Sequence, residues 1–282
     1  MSIKKKTLCG FAAAAALVIS SPIASASLLV YEGFDYAAGG ISGDSAGLST
    51  GAGSLNGGLG WSGAWVGQSG DTTYGNIVAD SLSFNELPTT GNRLQLGSFR
   101  DASRGFDSAF GEGTYYFSVL LGVGNSSGDE RTRFRITQDG SQNGTFEVGF
   151  GFSGSDPAEL VYRTGGDTPV TGAGTGIGGT NLIVGKFDLS AGGVMSDIVI
   201  WLNPSDLSSE GGNIATLDLD TASIGGGVGG VRLTRTGGTE SGVFDEIRFG
   251  TTWGSVAIPE PGTYAFIGGL LALSYVVVRR RR

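Results

Sequence analysis

The 282-residue chain has no histidine. That removes Ser-His-Asp and Cys-His nucleophilic systems, His-ligated zinc and the usual general base near neutral pH. Its one cysteine, Cys9, lies inside an N-terminal apolar run, too early to anchor a lipid. Beyond that run there can be no disulfide, thiol nucleophile or cysteine-type metal site, so stability must come from a buried core. Charge is sparse, at 16 % of residues, which sets the chain apart from highly charged disordered sequences. Between the termini no segment carries a 3.6-residue apolar stripe, so helices should be rare there. Glycine is abundant instead: 53 residues, spread without a collagen period.

Both ends carry export signals. Lys4-Lys5-Lys6, an apolar stretch from Leu8 to Ile19, and Ala24-Ser25-Ala26 form the three parts of a secretory signal peptide over 1–26. Cleavage after Ala26 would make Ser27 the first mature residue. At the other end, Gly262 to Val278 is uncharged. About 17 residues of helix span roughly 25 Å, near the hydrocarbon thickness of a bilayer. Arg279-Arg280-Arg281-Arg282 follows and should hold that end in the cytoplasm. Pro259-Glu260-Pro261 precedes the run, within a linker over 254–261.

The order Pro-Glu-Pro, apolar helix 262–278, basic cluster 279–282 resembles the PEP-CTERM sorting signal of Gram-negative bacteria. The resemblance implies signal peptidase and an exosortase-type membrane protease as partners. It also implies passage across the inner membrane, transient anchoring, and a final place at the cell surface or in the extracellular matrix. A plain tail anchor is the simpler alternative.

Residues 27–253 are left to fold, which suits one large all-β domain. Without the two basic terminal clusters, 11 basic residues face 26 acidic ones, a net charge near −15. Such a surface disfavours nucleic acid and favours cations or neutral polysaccharide, or serves solubility alone. Short runs rich in aromatic and β-branched residues recur between turn clusters, the pattern of an antiparallel sandwich. Arg131 to Thr137 alternates, with Thr132, Phe134 and Ile136 on one face and Arg131, Arg133 and Arg135 on the other. Thr145 to Phe152 alternates again, predicting a hairpin with one wet face. Thr114 to Val123 is apolar on both faces and should be a central strand. Further strands are predicted at 28–34, 92–98, 181–189, 197–202, 214–219, 230–234 and 243–249. The glycine-dense stretches 39–60 and 165–179 read as loops.

Several phrases resemble concanavalin A-like (laminin G-like) sandwiches: Tyr31-Glu32-Gly33-Phe34-Asp35-Tyr36, Trp61-Ser62-Gly63-Ala64-Trp65, Ile200-Trp201-Leu202-Asn203-Pro204, and Phe244-Asp245-Glu246-Ile247-Arg248-Phe249-Gly250. The resemblance implies a jelly-roll sandwich whose first and last strands pair.

Candidate chemistry is thin. The carboxylate string of sandwich-type glucanases, Glu-x-Asp-x-x-Glu, is missing, and Asp245-Glu246 should point to opposite faces of a strand. The chain is therefore expected not to be an enzyme, with a polysaccharide hydrolase as the remote alternative. Asp245 shares strand parity with Val243, Ile247 and Phe249, an inward face where an ionised carboxylate needs a partner. Calcium is one candidate, with Asp35 as a second ligand if the domain termini meet; a β-bulge or a backbone-bonded carboxylate is the other account. Trp61 and Trp65 flank glycine-rich loop and are candidate sugar-stacking platforms for a lectin-like module, or else core. The G-x-G-x-x-G string at 174–179 opens no helix, so it is not a nucleotide loop.

Overall fold

The computed structural model describes residues 27–67, 73–123, 131–138, 144–151, 159–164, 170–171, 179–219, 227–237 and 242–257. The expected signal segment 1–26, Pro259-Glu260-Pro261, the apolar run 262–278 and Arg279 to Arg282 lie outside the described residues. Among the described residues no helix is long and apolar enough to cross a membrane.

The chain folds into β1 (Leu28–Glu32), β2 (Gly39–Asp44), β3 (Gly47–Thr50), β4 (Gly53–Ser54), β5 (Trp61–Gly67) and β6 (Gly75–Val78). There follow β7 (Arg93–Leu96), β8 (Arg100–Phe106), β9 (Gly113–Val123), β10 (Arg131–Thr137), β11 (Gly144–Gly151) and β12 (Glu159–Thr164). The last third gives β13 (Val170–Thr171), β14 (Gly179–Leu189), β15 (Met195–Leu202), β16 (Leu217–Leu219), β17 (Gly230–Thr236), β18 (Gly242–Gly250) and one short helix, α1 (Trp253–Ala257).

Two antiparallel sheets result. One runs β16-β15-β14-β9-β18-β7-β6-β2-β3-β4, with β1 also on β18; the other runs β13-β12-β11-β10-β17-β8-β5. Thr114 to Val123 is central, as its two apolar faces require, with β14 and β18 on either side of β9. The first and last strands do pair, Val30 opposite Phe249 and Glu32 opposite Ile247. Glycine-rich 39–60, expected to be loop, instead holds β2, β3 and β4 at the edge of the larger sheet. Those strands are rich in glycine and serine, and Ile41, Leu48 and Thr50 are their buried side chains, too few to mark strands in the sequence.

Between the sheets, Phe117, Phe134 and Phe249 meet with ring centroids 5.5–6.1 Å apart, joining β9 and β18 of one sheet to β10 of the other. Each is fully buried, worth about 1.5–3 kcal/mol per side chain in area removed from water. A second, smaller cluster covers the far face of the larger sheet: Tyr116, Leu120, Leu182, Val184 and Trp201 lie beneath Leu87 and the α1 residues Trp253, Val256 and Ala257. Residues 254–257, expected in the linker, are thus part of the domain. Ser118 Oγ donates to the Val256 carbonyl at 2.8 Å and fixes α1 in place.

Parity along β18 differs from expectation. Its pairing with β9 slips between Asp245 and Arg248, and Glu246 takes φ of 50°. The bulge falls where the neighbour on one side changes from β7 to β1. Phe244, Ile247 and Phe249 therefore all face the central core. Asp245, opposite Leu120, faces the outer layer instead.

Candidate functional site

The outer face of the seven-stranded sheet carries the most concentrated polar chemistry among the described residues. Along β10, Phe134 and Ile136 enter the core, so Arg131, Arg133 and Arg135 take the opposite side. Register extends that side into two rows. One reads Glu147, Arg135, Arg232, Ser103 across β11, β10, β17 and β8; the next reads Gly149, Arg133, Thr234, Asp101. Strands lie about 4.8 Å apart, and rows two residues apart are separated by about 7 Å.

Ion pairs tie this grid together. Glu147 is shared: one oxygen takes Arg133 Nη1 and the other Arg135 Nε, the latter at 2.5 Å. Arg232 Nη2 reaches Asp101 at 2.5 Å. The face expected to be wet is a sunken charge network, with Arg133 5 % and Glu147 4 % exposed. Arg135 stands directly opposite Arg232, a like-charge placement that opposes pairing, and Glu159 on β12 shares the row of Arg131. Three buried polar atoms here have no partner: Arg133 Nε, Arg232 Nε and Thr234 Oγ1. Each such orphan costs about 1–3 kcal/mol. Gly149 leaves the floor beside Arg133 bare, because a Cβ there would lie 2.2 Å from the Thr132 carbonyl oxygen.

The residues singled out by sequence lie elsewhere. Trp61 and Trp65 are 7 % and 1 % exposed and belong to the central core. Their rings sit 5.5 Å apart and contact Phe106 and Phe34 respectively. Trp61 Nε1 donates to the Tyr31 carbonyl and Trp65 Nε1 to Glu32. Neither presents a face to a sugar; they fill the sandwich because β5 turns them inward.

Sequence reading missed the group they serve. Glu32 accepts from Trp65 Nε1, Tyr36 OH, Phe34 N and Arg104 Nη1, the last at 2.7 Å. Arg104 also donates twice to the Gly63 carbonyl and lies over the Trp61 ring, 5.1 Å from its centroid. Burial raises the Glu32 pKa, and those donors and the Arg104 charge pull it back. The resemblance phrases at Tyr31–Tyr36 and Trp61–Trp65 thus surround one buried ion pair, between Glu32 and Arg104 of β8. The only hint in the sequence was an acid between aromatic residues.

Asp245 and Asp35 do not make a calcium site. Asp35 is exposed, whereas Asp245 is fully buried beneath the segment between β6 and β7. One oxygen of Asp245 accepts Ser81 Oγ at 2.5 Å and Leu82 N at 2.7 Å; the other accepts Glu246 N at 2.8 Å. A cation would have to displace three donors aimed at the carboxylate, so the residues do not fit calcium. Among the described residues no cluster of three acidic side chains could hold a metal. Burial, first, pushes the Asp245 pKa up from 3.8 to about 7, against the pull of Ser81 and Leu82.

Asp245 and Glu246 were expected to diverge; the bulge turns both toward the same overlying segment. Glu246 accepts from Thr90 N, Tyr31 OH and Arg248, and Arg248 continues to the Pro88 carbonyl. Burial and the Glu246 charge push the Tyr31 pKa up to about 12. These carboxylates are structural clamps for residues 81–90.

A hollow of about 720 Å³ opens where that segment meets residues 205–208, lined by Asn85, Glu86, Pro88, Ser205, Asp206 and Ser208 among others. The Ser208 hydroxyl and amide hold the Asp206 carboxyl below its ordinary range. The hollow offers no basic or aromatic side chain to a ligand.

Two all-antiparallel sheets packed on one core, with first and last strands joined, make this a concanavalin A-like β-sandwich. No family model matches the sequence, and neither does any curated protein. Similar solved structures include the globular domain of T. cruzi calreticulin (12 % identity, 77 % of this chain and 95 % of that one, TM-score 0.44). Another is domain 4 of a GH43 extracellular arabinanase from Geobacillus stearothermophilus, in complex with arabinotriose (13 %, 82 % and 97 %, 0.40). A legume lectin-like domain from Entamoeba histolytica is a third (11 %, 59 % and 87 %, 0.39).

Proposed function

We propose that this protein is an exported, non-enzymatic carbohydrate-binding module, delivered through its signal peptide and PEP-CTERM tail to the cell surface or the exopolysaccharide matrix. The observation that carries the binding half is the outer face of the seven-stranded sheet, a row-and-column grid of guanidinium, carboxylate and hydroxyl groups with buried donors left over. Directional donors on a rigid sheet suit a ligand rich in oxygen acceptors. The same face argues against hydrolysis. Two of its acids, Glu147 on β11 and Asp101 on β8, stand three strand spacings apart, about 14 Å. Glycosidase pairs need about 5–9.5 Å. Both acids are also held in ion pairs with arginine.

The location half rests on the tripartite ends of the sequence, with signal peptidase and an exosortase-type protease as processing partners. Its test is mass spectrometry of both termini in protein from a native culture, where an intact Met1 would exclude export by this route. The binding half is tested by a glycan array probed with the full-length protein in detergent, with and without chelator. Chelator-independent binding of a glycan class is expected, and an array without signal overturns it. Reducing ends released from β-glucan, alginate or xylan would instead make the protein a hydrolase or lyase.

A further inference from the structure

With Trp61 and Trp65 withdrawn into the core, one ring is left facing water. Phe99 is 71 % exposed, and among the described residues no other aromatic side chain is exposed. It stands in the turn from β7 to β8 with φ of 55°, a region that costs a bulky residue energy and glycine none. Glycine takes most of the positive-φ positions in the described chain, and the other exceptions have local reasons. Asp80, Asn85, Asp197 and Asn203 are of the types that tolerate such backbone. Phe34 and Glu246 are buried and anchored by hydrogen bonds. Phe99 has neither reason, and its ring adds nothing to the core. A strained residue whose side chain is spent on solvent points to a contact outside the chain. We propose that Phe99 is the platform on which this protein stacks a neutral pyranose of its polysaccharide ligand. The inference rests on the carbohydrate-binding reading and names a residue and a sugar class for it.

The turn holds the ring still. Gly97 N donates to the Tyr74 carbonyl at 2.8 Å, and Ser98 Oγ donates to the Gly237 carbonyl at 3.1 Å. Arg100 Nε donates to the Thr73 carbonyl and its Nη1 to the carbonyl of Phe99 itself. Both neighbours of Phe99 are thus tied down, and a ring on a rigid turn loses little freedom on binding. Thr73 is exposed beside the turn, and its hydroxyl bonds nothing among the described residues. Phe99 directly precedes β8, so the ring stands at an end of the seven-stranded sheet that carries the polar grid. Size and charge then select the occupant. One aromatic ring buries about 150–250 Å², far below the roughly 1,200 Å² of a stable protein–protein contact. It matches the C–H face of a single sugar ring. The net charge near −15 outside the terminal clusters opposes an acidic polymer, which leaves a neutral one.

The test uses the full-length protein in detergent, titrated with laminarin and mannan as neutral polymers and with alginate as an acidic one. A neutral polymer is expected to bind about tenfold or more tightly than alginate, with little dependence on salt. Phe99→Gly is the decisive variant. It relieves the φ of 55°, so the melting temperature should hold or rise. Neutral-glycan affinity should fall about tenfold or more, as for a lost aromatic anchor. Phe99→Trp keeps a flat ring and should keep the affinity; Phe99→Leu, apolar but not flat, should lose it like Phe99→Gly. If Phe99→Gly lowers the melting temperature and spares affinity, the ring serves the fold and the assignment falls. Full affinity in Phe99→Leu overturns stacking, and tighter, salt-sensitive binding of alginate overturns the neutral class. Slower sedimentation of Phe99→Gly than of the parent points to nothing but assembly; faster sedimentation of the parent with glycan affinity equal in both makes the ring a contact between copies, and the assignment falls. In each of these cases the parent still binds glycan and the carbohydrate-binding reading stands. A parent that binds no polymer overturns both.

Discussion

Glu32 illustrates how much one side chain organises in this sandwich. Its two oxygens gather a guanidinium, an indole, a phenol and a backbone amide from positions 34, 36, 65 and 104. Phe34, which it caps, is held at φ of 49°, a conformation that costs a bulky residue energy and needs such an anchor. Glu32→Gln removes the charge that Arg104 faces in a dry interior, and breaking a buried pair typically costs about 3–5 kcal/mol. The expected outcome is a lower urea midpoint with the overall β spectrum retained. Asp245 makes a different prediction, about pH. Its carboxyl titrates near 7 in the folded protein but near 3.8 when free. The folded state therefore holds the extra proton between those values, and the stabilisation from it is full below about 4 and lost as pH rises through about 7. Asp245→Asn cannot titrate, so the melting temperature of the native protein minus that of the variant should fall across this window. A flat difference would show that the carboxyl titrates as an ordinary one.

At the scale of elements, β18 is the strand on which the fold turns, because its bulge shifts parity midway. Before it, Phe244 faces the core; after it, Ile247 and Phe249 do, although they are an odd number of residues on. The two acids at the bulge clasp segment 81–90 through Ser81, Leu82 and Thr90, and Arg248 holds Pro88. Replacing Asp245 and Glu246 together by alanine should free this segment first, while the central phenylalanine contacts persist. Limited proteolysis should then cut between β6 and β7 in the variant and leave the parent intact; identical patterns would mean that Leu87 and the outer apolar cluster suffice. The same strand explains what the sequence disclosed. Strands with alternating bulk, such as 131–137 and 243–249, were legible because burial imposes period two. A bulge was not, since one extra residue inverts every assignment after it. The edge strands from 39 to 54 were hidden by their glycine content, with Ile41 and Leu48 marking their inward side. Arg131, Arg133 and Arg135 were visible as one face, but the burial of Arg133 and its ion pair with Glu147 depend on neighbours brought alongside only by the sheet order β11-β10-β17-β8.

For the whole molecule, the consequence lies where the domain gives way to the tail. The sandwich does not stop at β18: α1 packs its Trp253, Val256 and Ala257 onto the larger sheet, and Trp253 Nε1 donates to the Leu207 carbonyl at 2.8 Å. Ile258 alone separates that helix from Pro259-Glu260-Pro261. On the proposed sorting route, a protease acting at the motif would work within a few residues of folded protein. Proline fixes φ and disfavours helix in the residue before it. Replacing Pro259, Glu260 and Pro261 by alanine leaves the apolar run 262–278 and the four arginines untouched, so insertion into the membrane should be unchanged. In a host with an exosortase, the variant should accumulate as an uncleaved, membrane-bound species of full tail length, while the parent protein is processed. Fractionation with mass spectrometry of the C-terminus distinguishes the outcomes. Normal maturation of the variant would reduce the tail to a plain anchor.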